Sequence, residues 1–286
     1  MRIILTVDVE LWSWRRNFEL DIEKSLKVLE KFSIEEKIPL TLFISLSDKG
    51  YDCKDYLKKI SEVISKIKSE NIKFGIHSHC TNLPLDFKTK SDNLKDYDRE
   101  HITRILEWYK KELEKITNQK IIVHRAGSYE IPSLQVLKEC FPRGLKIDSS
   151  DISQDYLKIK ELNSLLEIPP ATNRQLWAQH RVWSPEQLSF KEMVKFYNEA
   201  KKHTNLLIMN FHSFSVYGYL GKKARIWYKM PLCLRKTLKP FVNLVKGKKS
   251  VIGTEAKESK NFENFKNIVK FLKKEKCKFV SFENLR

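Results

Sequence analysis

Short runs of β-branched and aromatic residues alternate along the whole chain with stretches whose apolar residues recur every three to four positions. Arg2 to Val9 reads as a strand buried on both faces. Asp21 to Lys37 carries Ile22, Leu26, Leu29 and Phe32 at helical spacing, and Leu40 to Ile44 reads as the next strand. A helix from about Tyr56 to Glu70 follows, with Leu57, Ile60, Val63, Ile64 and Ile67 on one face, and then a strand from Phe74 that ends in His77-Ser78-His79. The pattern goes on through a helix from Arg99 to Ile116, the strand Ile121 to Val123, a short helix opening near Pro132-Ser133, and the strands Leu145 to Ile147 and Leu165 to Ile168. Pro169-Pro170 predicts a stop and a long irregular stretch. Beyond it come a helix from Phe190 to Lys202, a strand from Leu206 to Phe211, a last helix from Asn261 to Lys274 and a strand from Phe279 to Phe282.

This alternation predicts an α/β fold with about seven to eight mostly parallel strands, closed as a barrel or doubly wound. No internal repeat, low-complexity linker or break in composition divides the chain. A single domain over 1–286 is therefore expected, with a basic insertion at about 213–258.

In a barrel, chemistry collects where the strands end. Asp8 and Glu10 close the first strand, His77 and His79 the third, Arg125 the fourth, Asp148 the fifth, and His212 the strand from Leu206. Side chains alternate along a strand, so His77 and His79 point the same way and can share one ion. A lone strand histidine is ordinarily a hydrogen-bonded core or surface residue, and the company of the other strand-end polar residues is what marks these two. Carboxylates with two imidazoles suit a borderline divalent ion, zinc foremost, with iron, manganese and cobalt as alternatives. A carboxylate outside the ligand set can take a proton from bound water, a histidine on the far side can return one to a leaving group, and an arginine can hold the basic carboxylate in place. Together these parts serve metal-assisted hydrolysis of an amide or ester.

The segments Thr6-Val7-Asp8-Val9-Glu10, Gly75-Ile76-His77-Ser78-His79, His124-Arg125-Ala126-Gly127-Ser128-Tyr129, Asp148-Ser149-Ser150-Asp151 and Asn210-Phe211-His212-Ser213 resemble, in order, the motifs of the polysaccharide deacetylase family, carbohydrate esterase family 4. The resemblance spans roughly Met1 to Phe214. It implies a distorted (β/α) barrel and these roles: Asp8 as general base, Glu10 and His77 as metal ligands, Arg125 as the tether of Asp8, a backbone N–H of Tyr129 at the oxyanion, and His212 as general acid. Asp148 or Asp151 would fix the arginine or a histidine. Two positions depart from the family pattern. Val9 stands where a second aspartate is usual, which moves the carboxylate ligand to Glu10. Thr81 stands where the second histidine is usual, which assigns that ligand to His79, with Cys80 as a substitute. His101, His124, His180 and His203 receive no role, and Trp12 and Trp14 are either rim aromatics for a sugar ring or packing against the first helix.

Composition changes this picture in three ways. The formal charge of +18 favours polyanions, anionic membrane surfaces or phosphorylated substrates, although lysine dominates it and lysine-rich faces are often only solvated. Five scattered cysteines form no Cys-x-x-Cys pair, which points to reduced thiols. No apolar run reaches membrane-spanning length, and Asp8 interrupts the first one, so a cytoplasmic protein without a signal peptide is expected. Between Asn210 and Thr254 there is no acidic residue but ten basic ones, among them Lys222, Lys223, Arg225, Lys229, Arg235 and Lys236, interleaved with aromatics and leucines. Such a stretch either sits on anionic lipid head groups or a lipid-linked glycan, or is a solvated loop. The substrate expected is an acetylated amino-sugar glycan, with no nucleic acid as partner. The rivals are an amidohydrolase-type barrel acting on a non-sugar C–N bond with two metals, and a non-catalytic basic barrel that binds glycan or nucleic acid.

Overall fold

A computed structural model describes residues 1–12, 16–89, 91–152, 156–175, 179–220, 251–252 and 257–285; for 173–175, 179–181, 219–220 and 251–252 it describes the backbone alone. The elements are β1 (Arg2–Val9), α1 (Lys24–Glu36), β2 (Leu40–Ile44), α2 (Cys53–Ile64), β3 (Ile72–Ser78), α3 (Arg99–Thr117), β4 (Val123–Ala126), α4 (Leu134–Cys140), β5 (Ile147–Asp148), β6 (Lys160–Leu162), β7 (Leu165–Glu167), β8 (Thr172–Gln175), β9 (Gln179–Val182), α5 (Phe190–Ala200), β10 (Leu206–His212), β11 (Tyr219–Leu220), β12 (Val251–Ile252), α6 (Lys260–Lys274) and β13 (Lys278–Phe279).

Nine strands form one curled sheet in the order β10-β1-β2-β3-β4-β5-β7-β6, with β13 also paired to β1. Every pairing in it is parallel except β6 with β7. This is the mostly parallel, barrel-like α/β sheet that the sequence predicts. Among the described residues the sheet does not close strand to strand. Ala171 instead donates its N–H to the Ile208 carbonyl at 3.0 Å, and the Asn210 N–H reaches the Trp183 carbonyl at 3.3 Å, so the chain after β7 spans the gap to β10.

Burial on both faces explains the unbroken apolar strands. Ile3, Leu5, Val7 and Val9 pack under the helices with Leu26, Leu29, Phe262 and Phe265, while Ile4 joins Phe43, Val123, Ile147, Leu206, Ile208 and Phe282 on the inner face. Five of the six described α-helices start on side-chain caps that satisfy free N–H groups: Asp52 for α2, Asp98 for α3, Ser133 for α4, Ser189 with Glu192 for α5 and Ser259 for α6.

Several elements differ from expectation, three of them most clearly. Helix α2 ends at Ile64 rather than Glu70, because the N–H groups of Lys68 and Ser69 bind the Glu30 carboxylate at 2.8 and 3.0 Å instead of continuing the helix. Strand β4 begins at Val123 and carries Arg125 inside it. The stretch after Pro169-Pro170 is not irregular throughout, since β8 and β9 pair antiparallel from Thr172↔Val182 to Gln175↔Gln179. Among the described residues no helix is long and apolar enough to cross a membrane.

Candidate active site and metal centre

The parallel register brings the ends of β1, β3, β4 and β10 side by side: Asp8 pairs with His212, and His77 with Arg125. Two groups of side chains meet at this rim. In the first, Glu10, His77 and His79 offer donor atoms that all lie within 4.8 Å of one another. Glu10 Oε2 is 2.7 Å from His79 Nε2 and 3.6 Å from His77 Nε2. Each imidazole spends its other nitrogen on the protein: His77 Nδ1 on the Arg125 carbonyl at 3.2 Å, and His79 Nδ1 on Asp92 at 2.9 Å. Both rings are thereby oriented with Nε2 toward the carboxylate, the arrangement in which a histidine presents a lone pair to a cation. The His79 carbonyl is held in turn by Ser47 Oγ and the Tyr109 hydroxyl at 2.7 and 2.6 Å. Gly127 leaves room for the ring, since a Cβ there would lie 2.7 Å from His79 Cε1. One carboxylate and two imidazoles so placed fit a single borderline divalent ion with open positions.

The second group surrounds Asp8, which is buried. Arg125 donates to Asp8 Oδ1 at 2.7 Å and to Asn210 Oδ1 at 2.7 Å, and its other nitrogens bind the Ser149 carbonyl and hydroxyl. Asn210 Nδ2 donates to Asp8 Oδ2 at 2.9 Å and to the Tyr129 hydroxyl at 2.7 Å. His212 Nε2 stands 3.8 Å from Asp8 Oδ2 and 3.6 Å from Glu10 Oε1, while its Nδ1 and backbone N–H both bind Glu186 at 2.7 Å.

The electrostatics follow from these contacts. Burial would raise the Asp8 carboxyl, but Arg125, His77, His212 and the Asn210 amide outweigh it and hold it below its ordinary value. Burial likewise opposes ionisation of Glu10, and hydrogen bonds from His77 and His79 hold it well below the usual carboxylate range. For His79 burial favours the neutral ring, yet Asp92 and Glu10 push it up to about 10, so a cation taking Nε2 would displace a proton from it. His212 is also pushed up to about 10, by Glu186 and then Asp8 and Glu10, against the effect of burial. The site therefore sets a carboxylate held low and an imidazole held high 3.8 Å apart, beside a donor set for a cation.

Asp148 lies elsewhere. Its carboxylate is fully buried and binds His124 Nδ1 at 2.6 Å and Ser150, so it orients a histidine that received no role from sequence and does not touch Asp8, Arg125 or His212. The reason is strand parity: Ser149, not Asp148, faces Arg125. Cys80 is buried in the helix-side core, outside the donor set. Trp12 stacks on Phe214 at 5.6 Å and is buried, which settles it as packing; Trp14 lies outside the described residues, as does the His180 side chain. His101 binds Asp98, and His203 stacks on Tyr156. Asp92, Glu186, Thr6 and Ser149 complete the site without having been singled out in the sequence.

No family model and no curated protein matches the chain. Solved structures do. A protein from Mycobacterium smegmatis provisionally named a polysaccharide deacetylase superposes with a TM-score of 0.53 at 15% identity, over 98% of this chain and 93% of that one. A peptidoglycan N-acetylglucosamine deacetylase superposes with a TM-score of 0.51 at 13% identity, over 98% of this chain and 86% of the other. Nearly the whole chain thus has the fold of the polysaccharide deacetylases.

Proposed function

We propose that this chain is a metal-dependent hydrolase that removes an N-acetyl group, or secondarily an O-acetyl group, from a sugar of a glycan or glycolipid precursor. The observation that carries the reading is the flanking of the Glu10–His77–His79 donor set by Asp8 and His212, whose facing atoms lie 3.8 Å apart. Glu10, His77 and His79 would hold one divalent ion, zinc foremost and otherwise iron, manganese or cobalt. When bound, such an ion polarises the acyl carbonyl and acidifies a water. Asp8 Oδ2 takes the proton of the attacking water, and Arg125 with Asn210 keeps that carboxylate aimed and ionised. The Tyr129 N–H supports the charge that gathers on the acyl oxygen. His212 Nε2 delivers its proton to the leaving amine nitrogen as the C–N bond breaks, while Glu186 fixes the ring through Nδ1. Acetate and the free amine leave. Asp148 acts at a distance, through His124 and the strand pairing.

On this reading the chain is one domain over 1–286, with a basic insertion at about 213–258, most of which lies outside the described residues. It works in the cytoplasm, and the basic stretch draws it to an anionic membrane face or a lipid-linked glycan. The sugar-binding names of the two superposed proteins favour a glycan substrate. The test is acetate release from a panel of N-acetylated and O-acetylated oligosaccharides. Wild type should release acetate, and Asp8→Asn should lose about 10²- to 10⁴-fold in turnover while keeping its metal. Undiminished turnover in Asp8→Asn, or no release from any member of the panel, would refute the reading.

A further inference from the structure

Asn210 touches polar partners whose chemistry leaves its amide a single orientation. Arg125 can only donate, and it faces Oδ1 at 2.7 Å; Thr6 Oγ1 lies 3.0 Å from the same oxygen. Asp8, as a carboxylate, can only accept, and it takes one Nδ2 hydrogen at 2.9 Å. The second Nδ2 hydrogen goes to Tyr129 Oη at 2.7 Å. Exchanging the amide's oxygen and nitrogen would set an NH₂ against a guanidinium and a carbonyl against a carboxylate, so the assignment follows from the partners. Tyr129 Oη is consequently an acceptor in this contact. Its own hydrogen finds no acceptor among the described residues.

The backbone supplies a second, independent observation. Ser128 and Tyr129 both have left-handed φ values, 55° and 60°. Residues with a Cβ avoid this region, and an aromatic there is uncommon, so each position carries strain that the surrounding structure must hold. The strained turn carries the Tyr129 ring to within 6.0 Å of the Arg125 guanidinium, on the side of the arginine that grips Asp8. Burial, and then the Asp8 charge, push the phenol well above its ordinary value, so it stays a neutral O–H. Because Oη and Asp8 Oδ2 share the two hydrogens of one amide nitrogen, the unspent O–H stands next to the carboxylate that would take the proton of water.

We propose that the Tyr129 hydroxyl is a catalytic group in its own right, donating a hydrogen bond to the acyl oxygen of the substrate as negative charge gathers there. This inference rests on the proposed deacetylase reading and is distinct from the backbone N–H of the same residue. No proton is transferred: the hydrogen stays on Oη, and the oxygen it supports regains its carbonyl character when the C–N bond breaks. A donor that tightens in the transition state raises kcat rather than lowering KM.

Tyr129→Phe removes one oxygen from a half-buried ring and leaves one Asn210 N–H without its acceptor, so a small fall in the melting transition is expected, and a cooperative transition well above the assay temperature serves as the control for folding. Its kcat should fall by about 10- to 100-fold, with KM moving by less than about twofold and metal content unchanged. A second arm needs no turnover: calorimetric binding of acetate, which carries the same two oxygens, to the zinc-loaded protein should weaken about tenfold in the variant. Unchanged kcat, or a rise in KM alone, would show that the hydroxyl does not meet the reacting oxygen. Equal acetate affinity in the two proteins, or no acetate binding by wild type, would overturn the proposal as well. Should wild type bind acetate more tightly than the variant and yet release none from acetylated sugars, the deacetylase reading falls and the Tyr129 contact stands.

Discussion

Replacing Glu167 by Gln isolates a buried polar row on the helix side of the sheet. Ser78, His124, Asp148 and Glu167 lie on the neighbouring strands β3, β4, β5 and β7, each at most 1% exposed. Ser78 Oγ is 2.7 Å from His124 Nε2, His124 Nδ1 is 2.6 Å from Asp148 Oδ1, and Asp148 pairs in register with Glu167 on the next strand. Burial, and then the charge of Asp148, raise Glu167 well above the usual carboxylate range, because two adjacent buried carboxylates do not both ionise. Glu167 Oε2 otherwise lacks a partner, and carrying the proton satisfies it. A glutamine reproduces that form, with Oε1 still accepting from the Ser150 and Asp151 N–H groups and the NH₂ facing Asp148.

The sign follows from proton binding. In wild type the folded protein keeps a proton that the unfolded chain releases above about 4.5, so this group's stabilisation is present at low pH and is lost as pH rises through the folded value. His124 acts in the opposite sense. Burial pushes its imidazole down to about 3, so the unfolded chain takes up a proton first, near 6.5, and stability falls as pH drops below that value. Between 4.5 and 6.5 the two slopes oppose each other in wild type. In Glu167→Gln the Glu167 slope is gone, so the variant gains on wild type by up to about 1.4 kcal/mol per pH unit as pH rises above 4.5. Urea denaturation at half-unit steps from pH 4.5 to 8 measures both curves. Parallel curves would refute the shared proton.

Two further outcomes follow from the site and the charge. Gly127→Ala places a methyl 2.7 Å from His79 Cε1, so the ring must turn, and metal affinity in a chelator competition should drop by about 10- to 100-fold; unchanged affinity would remove His79 from the ligand set. Sedimentation with anionic liposomes should exceed that with neutral ones, fall at high salt, and be lost when Lys222, Lys223, Arg225, Lys229, Arg235 and Lys236 become Gln, since each basic residue near such a surface adds about 1 kcal/mol. Equal, negligible binding throughout would leave the basic stretch a solvated loop and a soluble saccharide the substrate.

Much of the frame was legible because both faces of the strands are buried: β1, β2 and β10 stand out as unbroken apolar runs, and α1, α3 and α6 as 3.6-residue stripes. The rim residues were legible because each interrupts such a run at its end. Asp92 and Glu186 were not, since they sit in loops without periodicity, 13 and 26 residues from the histidines they hold. Asp148 was placed at the right strand end but on the wrong face: β5 is two residues long, too short for alternation to reveal which side chain points inward. The β8–β9 pair was hidden for a related reason. Pro169-Pro170 does end β7, but the pairing that follows depends on the tie of Ala171 and Trp183 to β10, a contact across the barrel that no local pattern encodes.

The central claim is a single catalytic metal held by Glu10, His77 and His79. Elemental analysis of the purified protein after metal loading, alongside His77→Ala, tests it most directly. The account predicts one equivalent of a divalent metal in wild type, and loss of both metal and acetate release in His77→Ala with the fold retained. Two equivalents in wild type, as an amidohydrolase-type centre would hold, or full occupancy in His77→Ala, would contradict it.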